Sequence, residues 1–143
     1  MGRAWGWLVA ALLIAAVGGS GCGSSHHGPA TPAVSVAHLA GSLVRVTLSP
    51  EAVTRIGLRT APAGRSPDPA DTAVIPYAAV VYDADGNASV FTSLSPREYI
   101  RRPIRIDHIS GSLTYVKHGL SPGTSLVTVG AVELLGAETG VEG

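Results

Sequence analysis

Short apolar runs bounded by proline and glycine turns are the feature that most limits the fold of this chain. In residues 119–134, the turn Ser121-Pro122-Gly123-Thr124 leads into the apolar run Leu126–Val129 and then Gly130. Proline presets φ and glycine accepts positive φ, so this turn is predicted to be type II. The β-branched and apolar residues that follow favour a strand. No paired carboxylates or metal-ligand cluster lie on the segment, which indicates scaffold rather than an active site.

The same alternation of strand and turn occurs earlier in the chain. Leu43–Leu48 alternates apolar and polar residues and predicts a half-buried strand. Ser49-Pro50-Glu51 then supplies an N-cap, a proline at the first helical position and an acid in the first turn. Gly57 can end this short helix in the left-handed conformation. A second strand is predicted at Leu58–Ala61.

The remaining apolar runs predict four more strands and therefore about seven in all. These four are Ile75–Asp83, Ser89–Thr92, Ile100–Ile106 and Leu113–Lys117. Asp83–Asn87 suits a hairpin turn, and Pro103 indicates that its strand is an edge strand or contains a bulge. With one short helix, this pattern predicts a mainly β fold, either a small antiparallel barrel or a sandwich.

The N-terminus has the order of a secretory signal. Arg3 precedes the apolar run Trp5–Val17, and small residues lead to Cys22. The run is shorter than the roughly 20 residues of a membrane-spanning helix. Cys22 is the only cysteine in the chain and resembles a lipobox cysteine, although Gly19 stands where an aliphatic residue is usual. We therefore expect residues 1–21 to be a lipoprotein-type signal peptide, and the protein to be extracytoplasmic and lipid-anchored through Cys22.

Composition divides the rest of the chain into three parts. Residues 22–40 predict a flexible tether, because they hold too little apolar surface to order themselves. Residues 41–135 predict one β domain with a Pro-rich linker at 64–71, and 136–143 a polar tail. Ten basic and ten acidic residues leave no net charge. This balance argues against nucleic acid as a partner and against a basic face for an anionic membrane.

Two groups of histidines are candidate metal ligands. The adjacent pair His26-His27 lies in the tether and would make at most a weak, open site. His108 and His118 flank a turn and could approach each other across a hairpin, with Asp107 and Tyr115 nearby. Without a positioned shell of carboxylates or thiolates, they are better read as exposed polar residues. No metal or cofactor site is therefore predicted.

One stretch concentrates positive charge. Its members are Arg97, Arg101, Arg102 and Arg105. They suit a solvated edge that discourages aggregation between sheet edges. They also suit a docking strip for an acidic partner surface, because arginine makes bidentate contacts with carboxylates.

Three stretches resemble the periplasmic adaptor proteins, also called membrane fusion proteins, of RND-type efflux pumps. Residues 119–134 keep both flanking glycines and the Glu133-Leu134 pair of that family's closing segment. Residues 46–62 match its strand and Ser-Pro-Glu helix ending in Ile-Gly-Leu, and 75–83 resembles its re-entry strand. The linker at 64–71 stands in place of the family's lipoyl-like and helical-hairpin regions. The resemblance implies a reduced adaptor that keeps only the membrane-proximal, β-rich part.

This resemblance implies an accessory subunit that docks on the extracytoplasmic face of an inner-membrane efflux transporter, with homo-oligomerisation as a further expectation. No serine is placed on a strained elbow or beside a base, so an enzyme is not predicted. The alternative function is a free-standing extracytoplasmic lipoprotein that binds a small ligand or a metal ion.

Overall fold

The computed structural model describes residues 32–140. The predicted signal peptide, Cys22 and the histidine pair of the tether lie outside the described residues. Within them, the chain forms two α-helices, two 3-10 turns and ten strands. The helices are α1 (Pro50–Ile56) and α2 (Ala131–Thr139), and the 3-10 turns are Ala40–Ser42 and Tyr77–Ala79. The strands are β1 (Val34–His38), β2 (Val44–Leu48), β3 (Arg59–Pro62), β4 (Ala73–Pro76), β5 (Val81–Tyr82), β6 (Ala88–Ser95), β7 (Glu98–Pro103), β8 (Arg105–Ser110), β9 (Leu113–His118) and β10 (Ser125–Val129).

The strands form two antiparallel sheets. The large sheet has the order β1-β2-β7-β6-β10-β3, with β5 also paired to β6, and the small sheet has the order β4-β9-β8. No pairing among the described residues joins β1 to β3 to close a barrel. The prediction of a mainly β antiparallel fold is confirmed, and the sandwich is the alternative observed.

The large sheet is buried on both faces at its centre. Phe91 and Val127 face a core shared with α1 and α2, whereas their chain neighbours Val90 and Leu126 face a core shared with the small sheet. All four side chains are fully buried. Successive side chains of a strand project to opposite faces, so the continuous apolar runs of β6 and β10 fit a middle layer between helices and small sheet.

The predicted helix forms as its end signals indicate. Ser49 caps α1 by accepting a hydrogen bond from the Ala52 amide at 3.2 Å, and Pro50 is the first helical residue. Gly57 ends the helix with φ of 69°, and its amide donates to the carbonyl of Val53. These local bonds pair one free amide at the start of a seven-residue helix and a carbonyl near its end.

Two predicted irregular segments are partly ordered. The tether prediction for 22–40 is wrong over Val34–His38, because β1 pairs with β2 along its whole length and Val34 packs on the core. The tail prediction for 136–143 is wrong up to Thr139, because α2 extends through it. In both cases contacts with distant residues order the segment, because β1 pairs with β2 and α2 packs against the large sheet. Within the described residues, no helix combines the length and the apolar character needed to cross a membrane.

Two predicted strands are each divided in two. The run at 75–83 becomes β4 and β5, separated by a 3-10 turn, and the run at 100–106 becomes β7 and β8, which belong to different sheets. Of the two alternatives predicted at Pro103, an edge strand is not observed, because β7 lies between β2 and β6, whereas irregularities of register do occur just beyond it, between Arg105 and His108 of β8. Pairing with β2 stops at Arg101, so proline's missing N–H is not needed by that neighbour.

Candidate functional site

The hairpin of β8 and β9 carries a group of polar side chains at an irregular point of the small sheet. Arg105 pairs with His118 and Ile106 with Val116, so the register leaves Lys117 without a partner on β8. A second irregularity leaves Asp107 without a partner on β9. Bulges of this kind redirect side chains. Here Lys117 Nζ lies 3.5 Å from Asp107 Oδ1.

His108 is held beside Asp107 by two contacts. Its Nδ1 lies 2.9 Å from Asp107 Oδ2, and its ring stacks on Tyr115 with 4.3 Å between ring centroids. His118 instead pairs with Arg105, whereas His108 pairs with Tyr115. The register therefore does not place His108 and His118 opposite each other, contrary to the expectation. The structure groups His108 with Asp107 and Tyr115.

A further carboxylate reaches this group from the linker. Asp71 lies just before β4, and one of its carboxylate oxygens belongs to a set with Asp107 and His108 whose ligand atoms all lie within 4.8 Å of one another. Thr72, the next residue, fixes this position because its amide and its hydroxyl both donate to the carbonyl of Val116, at 2.8 and 3.1 Å. We call Asp71, Asp107 and His108 the carboxylate–histidine cluster.

The linker is folded where it leads into the cluster. The Asp68 amide donates to Ser66 Oγ at 3.2 Å, and Asp68 Oδ1 accepts from the Ala70 amide at 2.8 Å. The Asp68 carbonyl accepts from the Asp71 amide at 3.1 Å. These are the local side-chain and backbone bonds of a turn. They give a Pro-rich segment a fixed course and set the place of Asp71.

The members of the cluster differ sharply in exposure. Asp71 is 7% exposed, and among the described residues no donor hydrogen-bonds to either of its carboxylate oxygens. The side chains of His108 and Asp107 are 48% and 40% exposed. The hydrogen bond with His108, with a smaller effect of the Lys117 charge, holds the pKa of Asp107 below its ordinary value of 3.8. Asp107 is therefore anionic at neutral pH.

One imidazole and two carboxylates can serve as cation ligands. Nitrogen and oxygen donors of these types bind Zn²⁺ and related divalent ions in proteins. Sequence analysis found Asp107, His108 and Tyr115 but missed Asp71, which is more than thirty residues distant in the chain. The available signal was an acid at the end of the Pro-rich linker, just before a strand.

The four arginines do not form one strip. Arg101 and Arg105 line a hollow of about 530 Å³ beside the Asp83–Asn87 turn, whereas Arg102 and Arg97 line two other hollows. Arg101 and Arg102 are adjacent on β7, and adjacent strand residues point to opposite faces. A docking role for these arginines stays a prediction, and of the two arginines that line the first hollow Arg105 is the more exposed.

Arg101 already has a partner within the chain. Its Nη2 lies 2.8 Å from Oε1 of Glu138 on α2, whose side chain is only 5% exposed. This ion pair connects β7 to the helix that covers the large sheet. Sequence analysis did not identify Glu138, because it assigned that residue to the tail.

The lipidation predicted at Cys22 lies outside the described residues. A comparison of the chain with models of known protein families finds no match, and a search of curated proteins finds none either. The resemblance to periplasmic adaptor proteins therefore stays a prediction that rests on the sequence motifs.

Proposed function

We propose that this protein is a non-enzymatic, lipid-anchored accessory subunit of an efflux transporter, which docks on the transporter's extracytoplasmic face as periplasmic adaptors do. The observation that carries the proposal is how the adaptor-like stretches complete one another. β2 and β3, from the first stretch, pair with β7 and β10, which come after the linker. The first and the closing stretch are thus joined in the large sheet through β3 and β10, whereas the stretch at 75–83 contributes β5 to that sheet and β4 to the small sheet.

The linker between the stretches supports a reduced form of adaptor. Gly64, the first residue of the linker, and Val74, in the strand that follows it, exchange backbone hydrogen bonds of 2.9 and 3.0 Å. The chain therefore leaves and re-enters the fold at neighbouring points. In the resemblance, the lipoyl-like and hairpin regions stand between these points. A domain closed here needs neither region in order to fold, and it retains the part that contacts the transporter in adaptors.

Docking by a small domain would gain from the lipid anchor. Confinement to the membrane surface raises the effective concentration of the domain near a transporter, so weak individual contacts suffice. Arg105 is exposed and offers a positive charge for an acidic transporter surface. Assembly of several copies around one transporter would add further avidity.

Site-specific photo-crosslinking in intact cells tests this proposal. A photoreactive residue is placed at Arg105, and at Ile109 and Val132 as exposed positions without charge, before affinity purification under denaturing conditions. We expect a membrane transporter to be crosslinked most strongly from Arg105. The variant Cys22→Ala should lose both membrane association in cell fractionation and the crosslink. Recovery of no transporter from any position, while the wild-type protein fractionates with membranes, would contradict the proposal.

The alternative function, a lipoprotein that binds a metal ion or small ligand, is favoured by one observation. The carboxylate–histidine cluster brings three ligand-type side chains together. Metal binding by this cluster can be tested independently of docking on a transporter.

A further inference from the structure

Asp71 occupies a position that is unfavourable for a carboxylate without a partner. Both of its oxygens are buried, and no donor among the described residues hydrogen-bonds to them. Burying a charged group costs much free energy unless it is paired, hydrogen-bonded or bound to a metal. The nearby ammonium of Lys117 contacts Asp107 instead. Among the described residues, the carboxylate of Asp71 therefore has no counter-charge in contact with it, and it lies near two other ligand-type side chains.

We infer that the carboxylate–histidine cluster binds a divalent transition-metal ion of the zinc class, through Asp71, Asp107 and His108. Their ligand atoms already lie within 4.8 Å of one another. A metal ion would supply the positive charge that the buried Asp71 carboxylate lacks. Three protein ligands leave the remaining coordination position to water or to a ligand atom from another molecule.

The donor set decides the class of ion. Imidazole nitrogen suits zinc and its transition-metal neighbours, whereas Ca²⁺ takes six to eight oxygen ligands. One histidine among three ligands therefore selects against Ca²⁺ and Mg²⁺. The cluster lacks thiolate, the ligand that favours Cu(I).

Binding requires a small closure of the cluster. Metal–ligand bonds of about 2.1 Å place neighbouring ligand atoms of a tetrahedral site roughly 3.4 Å apart. The widest separation, at most 4.8 Å, must shorten accordingly. Asp71 is held by its buried setting, but Asp107 and His108 are substantially exposed and can rotate toward it. The Lys117 ammonium lies against Oδ1 of Asp107 and repels a cation there, so this lysine competes with the metal.

This inference does not depend on the proposed docking function. A metal site on the small sheet is compatible with an accessory subunit as well as with a free-standing binding protein. The two proposals are therefore tested with different readouts, and failure of either leaves the other standing.

Calorimetric titration of the full chain in detergent with ZnCl₂ tests the site. The starting chain carries Cys22→Ala, His26→Ala and His27→Ala, which removes the cysteine and the two histidines that lie outside the described part of the chain. We expect one zinc ion per chain. Asp71→Asn and His108→Ala should each weaken zinc binding at least about tenfold, the lower range for loss of a group that supports a metal site.

Two variants separate metal binding from a merely structural role. His118→Ala is the matched histidine control, because His118 lies on the same hairpin opposite Arg105, and it should leave zinc affinity unchanged. Lys117→Gln should tighten zinc binding several-fold by removing the competing ammonium. Without zinc, Asp71→Asn should melt no lower than the starting chain, because it removes a buried charge while keeping the side chain's shape.

The results that would overturn the inference are specific. One is the absence of zinc binding by a starting chain that melts cooperatively. Another is zinc binding that survives both Asp71→Asn and His108→Ala, or that is lost equally in His118→Ala. Ca²⁺ binding as tight as zinc binding would overturn the assigned class of ion.

Discussion

Gly130 lies against Ile56 so closely that no side chain fits between them. A Cβ atom at position 130 would lie 2.7 Å from Cγ2 of Ile56. Gly130 also has φ of 89°, which side-chain-bearing residues rarely adopt. It joins β10 to α2, whereas Ile56 is the last residue of α1. The glycine that ends the closing strand is thus the point at which the end of the chain packs on the early helix.

The substitution Gly130→Ala should lower the free energy of unfolding by more than the cost of a positive φ alone. The positive φ costs roughly 1–2 kcal/mol for a residue with a side chain, and overpacking against Ile56 adds about 1–3 kcal/mol. Gly123→Ala is the matched control, because Gly123 has φ of 82° and open space around it. Chemical denaturation of both variants measures the difference, and equal losses of stability would show that the Ile56 contact costs nothing.

A double substitution isolates the contact itself. Ile56→Ala removes Cγ2, so Gly130→Ala should cost less in that background than in the wild type. The single variant Ile56→Ala is also destabilising because the side chain packs on the core. A strictly additive double variant would contradict the close approach described for these two residues.

Sequence patterns predicted the features that depend on hydrogen bonds between residues close to one another in the chain. The cap at Ser49, the left-handed Gly57 and the turn at Gly123 all follow from residues within a few positions of one another. β1 and the whole of α2 were not predicted, because pairing with β2 and packing against the large sheet order them. Most of the sandwich was therefore predictable, while its first strand and last helix were not.

The candidate site was only partly predictable for the same reason. Asp107 and His108 are chain neighbours, and their cross-strand neighbour Tyr115 follows from the hairpin. The position of Asp71 depends on how Thr72 pairs with β9. The exact register also depends on two bulges, at Asp107 and Lys117, that alternation of apolar residues does not reveal.

The ion pair between Arg101 and Glu138 should stabilise the contact of α2 with the large sheet. Arg101→Ala leaves the nearly buried Glu138 carboxylate without its partner, and we expect a loss of about 1.5–3 kcal/mol, typical of hydrogen bonds to charged groups. Glu138→Ala should cost less, because the side chain of Arg101 is 24% exposed and can be hydrated. Thermal and chemical denaturation measure both losses.

Arg102→Ala provides the control for that pair. Arg102 is adjacent on β7 but exposed, and its Nε donates to Thr92 Oγ1 at 3.2 Å. Its loss should change stability by less than about 1 kcal/mol. If Arg102→Ala proved as destabilising as Arg101→Ala, the Glu138 contact would not explain the effect.

The parts of the chain before and after the linker should not fold independently. A fragment that begins at Ala70 lacks α1 and β1–β3, and so lacks Val46 and Leu48 of the core around Phe91. It also leaves β7 and β10 with unpaired edges. We expect this fragment to be unfolded or to aggregate, while a chain beginning at Pro32 melts cooperatively. A cooperative melting transition of the shorter fragment, followed by circular dichroism, would show that the earlier elements are accessory.

Hydrogen bonds to the Asp83 carboxylate hold the turn that connects β5 and β6. Asn87 donates hydrogen bonds from its side chain to both oxygens of Asp83, at 3.2 and 3.0 Å, and its backbone amide donates at 2.8 Å. The backbone amide of Asp85 donates a further bond at 3.0 Å. The side-chain bonds of Asn87, followed by the backbone bonds, hold the pKa of Asp83 below its ordinary value of 3.8.

Asn87→Ala should raise the pKa of Asp83 toward that ordinary value without fully restoring it, because the backbone donors remain. A carboxyl group whose pKa is lowered by folding stabilises the folded state above its unfolded pKa, and this contribution is lost as pH falls through the folded pKa. The wild type therefore loses this contribution below about pH 3.8, and the variant has less of it to lose. Carbon-detected NMR titration of Asp83, with Asp85 as an internal comparison, measures the shift, and an unchanged Asp83 pKa would show that the backbone donors alone lower it.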